Sequence, residues 1–305
     1  MKKLTLLIAA LLLVLTTGCS MQPPSWAKPK TGGDLTQMKI GLSISTQDNP
    51  FFVSLKDGVV AEAKKQGIET IVVDAQNDSA KQTNDVEDLI QKGVSALLIN
   101  PTDSAAISTE VENANNLGIP VITIDRSADK GDVKAFVASD NVKGGKMAAE
   151  YLAQLVGKGA KVVELQGVAG ASATRERGQG FHEVADTELN VVASQAADFD
   201  RTKGLNVMEN LLQAHPDVQA VFAQNDEMAL GAIEAIRSSG KDIPVIGFDG
   251  SDDALKAIKD GKLTATVAQQ PELIGQMAVQ AARDVLQGKT VEKSIPAPLK
   301  LVTKE

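Results

Sequence analysis

The sequence predicts an α/β fold of two similar lobes, each a parallel sheet with helices on both faces. Three observations carry that expectation. From residue 38 onward, short apolar strands alternate with helical periodicity, the pattern of parallel strands joined by crossover helices. Two pairs of segments match in a single register. Ala96-Leu-Leu-Ile-Asn100 matches Ala220-Val-Phe-Ala-Gln224, and Pro120-Val-Ile-Thr-Ile-Asp125 matches Pro244-Val-Ile-Gly-Phe-Asp249, both offset by 124 residues. Finally, 305 residues at 43% hydrophobic content supply two cores, at roughly 100–200 residues per domain. The competing reading of the repeat is that buried strands all share one apolar pattern, which would leave a continuous sheet. Pro120 and Pro244 suit strand starts, where a missing N–H is harmless.

The chain opens with Lys2 and Lys3 before a nearly all-apolar stretch of 12 residues, 4–15. That fits a signal h-region and falls short of the about 20 residues a membrane span needs. Thr16-Thr17-Gly18 then precede the only cysteine, Cys19. Residues 1–18 therefore read as a lipoprotein signal peptide, Cys19 as the lipidated residue, and 19–37, with Pro23, Pro24, Pro29, Gly32 and Gly33, as anchor and flexible tether. The alternative is an ordinary secretory signal with an incidental cysteine, since Thr16 stands where lipoprotein signals usually carry Leu. Both readings export the chain, to the periplasm or the outer face of the cytoplasmic membrane. A single cysteine allows no internal disulfide. Trp26 lies in the tether, away from any ligand platform.

Residues 38–45 form a short apolar strand. Helical spacing follows over 50–66, with Asp48 or Asn49 as N-cap and Pro50 in the first turn. A strand over 70–73 leads to a helix over 81–92 that Gly93 stops, then a strand over 96–99 and a helix over 105–117 that Gly118 stops. After a strand over 121–124 the rhythm repeats with helices at 142–155, 174–185, 203–214, 227–238, 254–259 and 273–286. The strands between them fall at 161–165, 191–195, 218–223, 245–248 and 263–267.

Charge narrows the partners. Without residues 1–18 the chain would carry 29 basic and 39 acidic residues, a net charge of −10. That argues against a nucleic-acid or anionic-membrane surface, and 3% aromatic content argues against a base-stacking platform.

In open parallel sheets ligands bind beyond the carboxyl ends of the strands. The residues just after each strand are Ser45, Asp48-Asn49-Pro50-Phe51-Phe52, Asn100, Asp125-Arg126, Gly167 leading to Arg175 and Arg177, Asn225-Asp226, Phe248-Asp249, and Gln269-Gln270. Planar Asp, Asn and Arg groups can each bond two adjacent hydroxyls, and Phe rings cover the C–H faces of a sugar. A neutral polyol matches balanced charges plus aromatic plates, whereas a phosphate or carboxylate would call for surplus cations. Some of these residues have plainer readings. One of two adjacent Phe side chains can simply pack inward, Asp125-Arg126 can be a strand-end ion pair, and Arg175 and Arg177, two apart, cannot share a helix face.

Enzyme readings find little support. His182 and His215 are the only histidines, and both read as surface side chains. There is no nucleophile elbow, phosphate loop, full dinucleotide fingerprint or metal-ligand spacing, so neither cofactor nor metal is expected. Asp125 and Asp249 could pair for glycoside hydrolysis, but neighbouring Arg126 and Arg177 should keep both ionised.

The run from Ser45 through Gly58, with Asn49, Phe51 and Phe52, resembles the opening of the D-ribose-binding members of the type I periplasmic binding protein family. The likeness continues through Leu98–Ser104, Ala138–Val142, Arg175–Gly178, Ala197–Arg201 and Val221–Leu230, covering nearly all of residues 38–305. The resemblance implies two Rossmann-like lobes joined by three crossings and a hinge that closes on ribose. They would comprise 38–139 plus 270–298 and 140–269 plus 299–305. It places Ser45, Asn49, Phe51, Phe52, Asp125 and Arg126 on the sugar from the first lobe. From the second it places Arg177, Phe199, Asn225, Phe248, Asp249 and Gln269. It implies a monomer that delivers D-ribose, or a close monosaccharide such as allose, to the permease of an ABC transporter. A chemoreceptor partner, or a furanosyl quorum signal as ligand, is compatible with the same cleft. The effector core of a sugar-responsive repressor shares the architecture but needs a DNA-binding head where this chain has a signal and tether.

Overall fold

The computed structural model describes residues 37–304. The signal over 1–18, Cys19, Trp26 and all of the tether but its last residue lie outside the described residues.

Two six-stranded sheets organise the chain. The first contains β1 (Lys39–Ile44), β2 (Glu69–Asp74), β3 (Ala96–Ile99), β4 (Val121–Ile124), β5 (Val133–Ser139) and β11 (Ser294–Ala297), in the order β11-β5-β4-β3-β1-β2 and parallel throughout. The second contains β6 (Lys161–Gln166), β7 (Asn190–Ala196), β8 (Ala220–Ala223), β9 (Val245–Asp249), β10 (Ala265–Ala268) and β12 (Lys300–Thr303). Its order is β12-β10-β9-β8-β6-β7, with only β12 antiparallel. The two orders are the same topology, so the 124-residue repeat reflects two equivalent lobes. Each sheet reverses its winding direction beside its first strand, which opens a crevice at the carboxyl ends.

Both faces of each sheet are buried. On the first sheet, α1 (Pro50–Lys65) and α9 (Pro271–Leu286) cover one face, and α2 (Ser79–Gln91) and α3 (Ser108–Asn116) the other. On the second, α4 (Asn141–Val156) and α5 (Ser172–Glu188) cover one face, and α6 (Arg201–Ala214), α7 (Asp226–Ser238) and α8 (Asp252–Lys259) the other. The chain passes between the sheets three times, at 139–141, 268–271 and 297–300.

Three helix pairs approach more closely than side chains normally allow, because each member contributes a glycine. A Cβ on Gly58 or Gly275 would strike the backbone of α9 or α1. Gly145 and Gly180 stand in the same relation between α4 and α5, and Gly204 and Gly231 between α6 and α7. Glycine inside a helix costs about 1 kcal/mol against alanine, and the backbone-to-backbone packing it permits offsets that cost. The Gly145 contact falls on the carbonyl of Arg177 and so fixes the height of that residue on α5.

Three strands depart from the sequence reading. Strand β5 follows β4 in parallel through a helix-free connection, so no helical interval marked it. Both β11, with Pro296 inside it, and β12 are edge strands, where pairing comes from the sheet rather than from strand propensity. The third helix begins at Ser108, three residues later than its periodicity indicates, because Asp103 Oδ1 accepts from Ala105 N–H and Ala106 N–H and folds 103–107 as a turn. Of the two N-cap candidates for the first helix, Asn49 takes the role, accepting from Phe51 N–H at 2.9 Å.

Asp226, at the start of α7, fastens three elements together. Its Oδ2 accepts from Gly250 N–H at 2.8 Å and Ser251 N–H at 2.7 Å, and its Oδ1 accepts from Thr266 Oγ1 at 2.7 Å. Burial pushes its carboxyl up to about 6 in spite of these donors. Asp226→Ala strands all three donors and should lower unfolding stability by at least about 3 kcal/mol. Asp226→Asn should recover most of that loss, since its oxygen can accept both N–H groups while its nitrogen donates to Thr266. Urea melts of the two variants check this pair; equal losses would contradict it.

Candidate functional site

The carboxyl ends of the two sheets meet around a small chamber with about 10 Å³ of free space. The first lobe contributes Asn49, Phe51, Phe52, Asp125 and Arg126; the second contributes Ala173, Arg177, Phe199, Asn225 and Asp249.

Each wall residue is set by the end of an element. Asn49 and Asn225 are the N-caps of α1 and α7, so their side-chain oxygens are committed to Phe51 N–H and Met228 N–H, both at 2.9 Å. What remains for a ligand is the amide N–H2 of Asn49 and the second N–H of Asn225, whose nitrogen already donates to Phe199 O at 3.3 Å. Asp125 and Asp249 terminate β4 and β9 with positive φ, +62° and +125°. Non-glycine residues seldom adopt that conformation, aspartate and asparagine more readily than the rest. Phe51 and Phe52 lie edge to face, ring centroids 5.2 Å apart, and both line the chamber. The inward-packing alternative therefore applies to neither alone. Phe199 also has a positive φ, +60°. Its ring lies where a Cβ on Gly167 would collide with it. Glycine at 167 thus gives the ring its seat.

The two guanidiniums are fully drawn into the structure. Arg177, 3% exposed, donates from Nε to Asn141 Oδ1 at 2.9 Å and from Nη1 to Gln224 O at 2.7 Å, with Asp249 Oδ1 3.6 Å away. Arg126, also 3% exposed, donates from Nη1 to Pro101 O at 3.2 Å, and Asp125 Oδ2 lies 3.7 Å from its Nε. Phe199 sits within cation–π range of both, 5.4 Å from Arg126 and 5.8 Å from Arg177. Arg126 also covers Phe52 at 4.9 Å. Arg175 points elsewhere, to the surface, where it pairs with Asp129. The helix-face argument separated the two arginines correctly.

Three of the expected contact residues stand behind the wall rather than in it. Phe248 is wholly buried in the core of the second lobe and offers its ring face to Arg177 at 3.8 Å. Gln269 donates to Asp249 Oδ1 at 2.9 Å. Ser45 donates its N–H to Asn100 Oδ1 at 3.1 Å. Unused buried capacity nevertheless gathers here: Ser45 Oγ, Asp125 Oδ1, Arg126 Nε and Gln269 Oε1 have no hydrogen-bond partner within the protein. Buried polar atoms left that way cost about 1–3 kcal/mol each, which a polyhydroxylated ligand would relieve.

Two expectations need correction. The arginines do not bring the two carboxyls below their ordinary values. Burial outweighs Arg126 and Arg177 and raises Asp125, and burial with neighbouring Asp226 raises Asp249 well above the usual carboxylate range. The same burial brings Arg126 down to about 10. Sequence proximity reports the partners of a charge but not its loss of water. His182, in turn, is not a free surface side chain: it is half-buried and meets Asp186 at 2.7 Å and the fully buried Glu164 at 3.3 Å. Among the described residues no three His, Cys, Asp or Glu side chains form a metal-binding group.

Asn141, Ala173, Gly167 and Gln224 were not singled out as ligand residues. The repeat could have exposed Gln224, since it stands 124 residues after Asn100. Asn100 Oδ1 accepts from the N–H after β1, and Gln224 Oε1 accepts from the N–H after β6, Gly167, at 3.0 Å. Gly167→Ala should push the Phe199 ring out of its seat and cut monosaccharide affinity at least tenfold, about 1.4 kcal/mol, with the melting temperature of the unliganded protein unchanged. Calorimetry paired with a thermal melt checks this; full affinity in the variant would remove Phe199 from the wall.

A family model for the periplasmic binding protein domain matches residues 40–290. The ribose import binding protein RbsB of Bacillus subtilis (strain 168) is 68% identical over 305 residues, covering 100% of both chains. The protein of that name from Salmonella typhimurium is 55% identical over 307 residues, covering 100% of this chain and 99% of that one. Among solved structures, an ABC transporter solute binding protein from Mycobacterium smegmatis with bound glycerol superposes with a TM-score of 0.84 at 39% identity. It covers 88% of this chain and 94% of that one.

Proposed function

The chain belongs to the periplasmic binding protein family, and from that premise we propose that it captures D-ribose between its lobes and delivers it to the permease of an ABC importer. Proteins of this family bind their ligands rather than transform them, which agrees with the lack of any nucleophile or phosphate motif in the sequence. The observation that carries the ribose reading is the composition of the chamber wall. Two carboxylates face two guanidiniums, amide groups fill the gaps, and three Phe rings supply apolar plates. A neutral polyol satisfies such a wall without adding net charge. The 68% identity to a protein named for ribose import supports the same choice of sugar.

Capture follows from the division of the wall. Each lobe holds about half of the partners, so the sugar binds the closed arrangement far better than the open one, and that differential affinity drives closure. The moving units are 38–139 plus 270–298 and 140–269 plus 299–305, hinged where the chain crosses between the sheets. The protein acts as an exported monomer, tethered through a lipid on Cys19, and a chemoreceptor is a second partner for its closed form. Allose is the competing ligand, since its pyranose ring carries the ribopyranose hydroxyls in the same configuration and adds only one hydroxymethyl group.

A thermal-shift and calorimetric screen of pentoses, hexoses and furanosyl signals tests the reading. D-Ribose should give the largest stabilisation; indifference to every monosaccharide, or turnover of any, would end it. Arg177→Ala should weaken ribose binding by about 2–5 kcal/mol, because it leaves the Asp249 carboxylate buried without its guanidinium. A loss below tenfold would take Arg177 out of the site. Phe52→Ala should weaken binding and also lower the thermal midpoint of the unliganded protein, because the ring belongs to the first lobe's core as well as to the wall; calorimetry on the folded variant that returns full affinity would take Phe52 out of the site.

A further inference from the structure

Glu164 is a charged side chain that the sugar wall does not use and that the fold hides completely. It lies within β6, 0% exposed, and its two carboxylate oxygens face three side chains. Gln224 Nε2 donates to Oε1 at 2.8 Å, Gln166 Nε2 donates to Oε2 at 2.9 Å, and His182 Nε2 lies 3.3 Å from the same Oε2. Of the three, only His182 can carry a positive charge, and buried charges are normally paired. Its other ring nitrogen, Nδ1, lies 2.7 Å from Asp186 Oδ1. A neutral imidazole has one N–H and serves one of the two carboxylates; the imidazolium serves both. Strand β7, beside β6, carries no charged residue, and Glu183, next to His182 on α5, pairs with Lys146 of α4. Burial of the ring works against its protonation, yet Asp186 and Glu164 outweigh it and raise His182 above its ordinary value.

The network runs on to the sugar wall through Gln224, which is as deeply buried as Glu164. With its Nε2 held by Glu164, the amide turns its oxygen to Gly167 N–H. The flipped amide would set an oxygen against a carboxylate and N–H2 against N–H. Gly167 gives the Phe199 ring its seat, and the carbonyl of Gln224 accepts from Arg177 Nη1 at 2.7 Å. Two wall residues of the second lobe therefore lean on one glutamine. Gly178, directly after Arg177, leaves room for it, since a Cβ there would stand 3.2 Å from Gln224 Nε2. The first lobe does without such a carboxylate. Leu42 pairs with Leu98 there as Glu164 pairs with Phe222 here, at positions equivalent in the 124-residue repeat. An apolar residue thus suffices for the sheet, and the buried glutamate answers some other need.

We propose that Glu164 and His182 are positioning residues for the sugar site, a relay through which a half-buried imidazole fixes Gln224 and, through it, Phe199 and Arg177. The inference rests on the capture reading above. Neither residue lines the chamber, so both act through the wall and not on the sugar. A charged ring supplies donors to Glu164 and Asp186 together and locks the network. Loss of its proton leaves one carboxylate without its donor, and the orientation of Gln224 loosens. Only the ordered wall binds sugar, so apparent affinity scales with the ordered fraction. The ring holds its proton above the ordinary imidazole value of 6.5. Its contribution is therefore complete below that value and is lost as pH rises through the raised value of the folded protein.

The test measures D-ribose affinity by calorimetry for wild type, His182→Gln and Glu164→Gln from about pH 5.5 to about pH 8.5, a range that spans histidine titration. The affinity of wild type relative to His182→Gln should fall about three- to tenfold across that range. Asp226 and Asp249 also have raised carboxyls, but both are present in the two proteins and cancel from the ratio. A ratio constant with pH overturns the relay. Glu164→Gln should weaken ribose about tenfold or more at the acid end, and full affinity there overturns it as well. If Glu164→Gln does not fold, His182→Gln, at a half-buried position, decides alone. If wild type binds no monosaccharide, the capture reading fails on its own. The relay is then decided by nuclear magnetic resonance of the sugar-free protein. The Gly167 amide signal should follow the titration of His182 in wild type and stay still in His182→Gln; a Gly167 signal indifferent to the histidine overturns the relay.

Discussion

Everything in this molecule is arranged around four buried charges that come from two lobes. Arg126 and Asp125 leave water from one side, and Arg177 and Asp249 from the other. Neither pair is in tight contact, at 3.7 and 3.6 Å, so neither recovers its full desolvation cost within its own lobe. Burial is also what raises both carboxyls. A ligand that brings hydroxyl groups to both lobes at once can make up the difference, and none that touches a single lobe can. The energetic imbalance of the unliganded wall and the selectivity of closure are two expressions of one constraint.

The scaffold's task is to hold those charges at fixed positions. Phe248 underlies Arg177, Gln269 holds Asp249, Asn141 holds the Nε of Arg177, and Asn100 bonds the strand that precedes Asp125. Glycines do the equivalent work for the backbone. Gly145 lets α4 press on the carbonyl of Arg177, and Gly167 makes room for Phe199 between the two guanidiniums. Asn141 begins α4 immediately after a crossing between the sheets, which ties the orientation of Arg177 to that crossing.

Much of this was legible before any coordinates. Alternating periodicity located both sheets, and Asn49, Phe51, Phe52, Asp125, Arg126, Arg177, Phe199, Asn225 and Asp249 all fall on one chamber. Position beyond a strand end or family likeness had marked each of them. The same position marked Asp226, which proved to be a structural tie. Strand ends tell where a side chain is, not whether its hydrogen bonds are already committed to the fold. Strands β5, β11 and β12 escaped because their pairing is supplied by neighbours distant in sequence.

The linear sequence by itself determined the alternation of strand and helix, the twofold internal likeness, the balance of charge at the strand ends, and the absence of chemistry-bearing motifs. These follow from local pattern and residue type, which need no knowledge of what lies opposite. Only the tertiary structure decided how far each carboxyl is cut off from water and which residues stand in the wall and which behind it. It alone showed that glycine at 167 is required by the ring of Phe199 rather than by its own backbone. Each of these depends on atoms from remote parts of the chain being brought within a few ångströms, and desolvation and steric exclusion act through space rather than along the sequence.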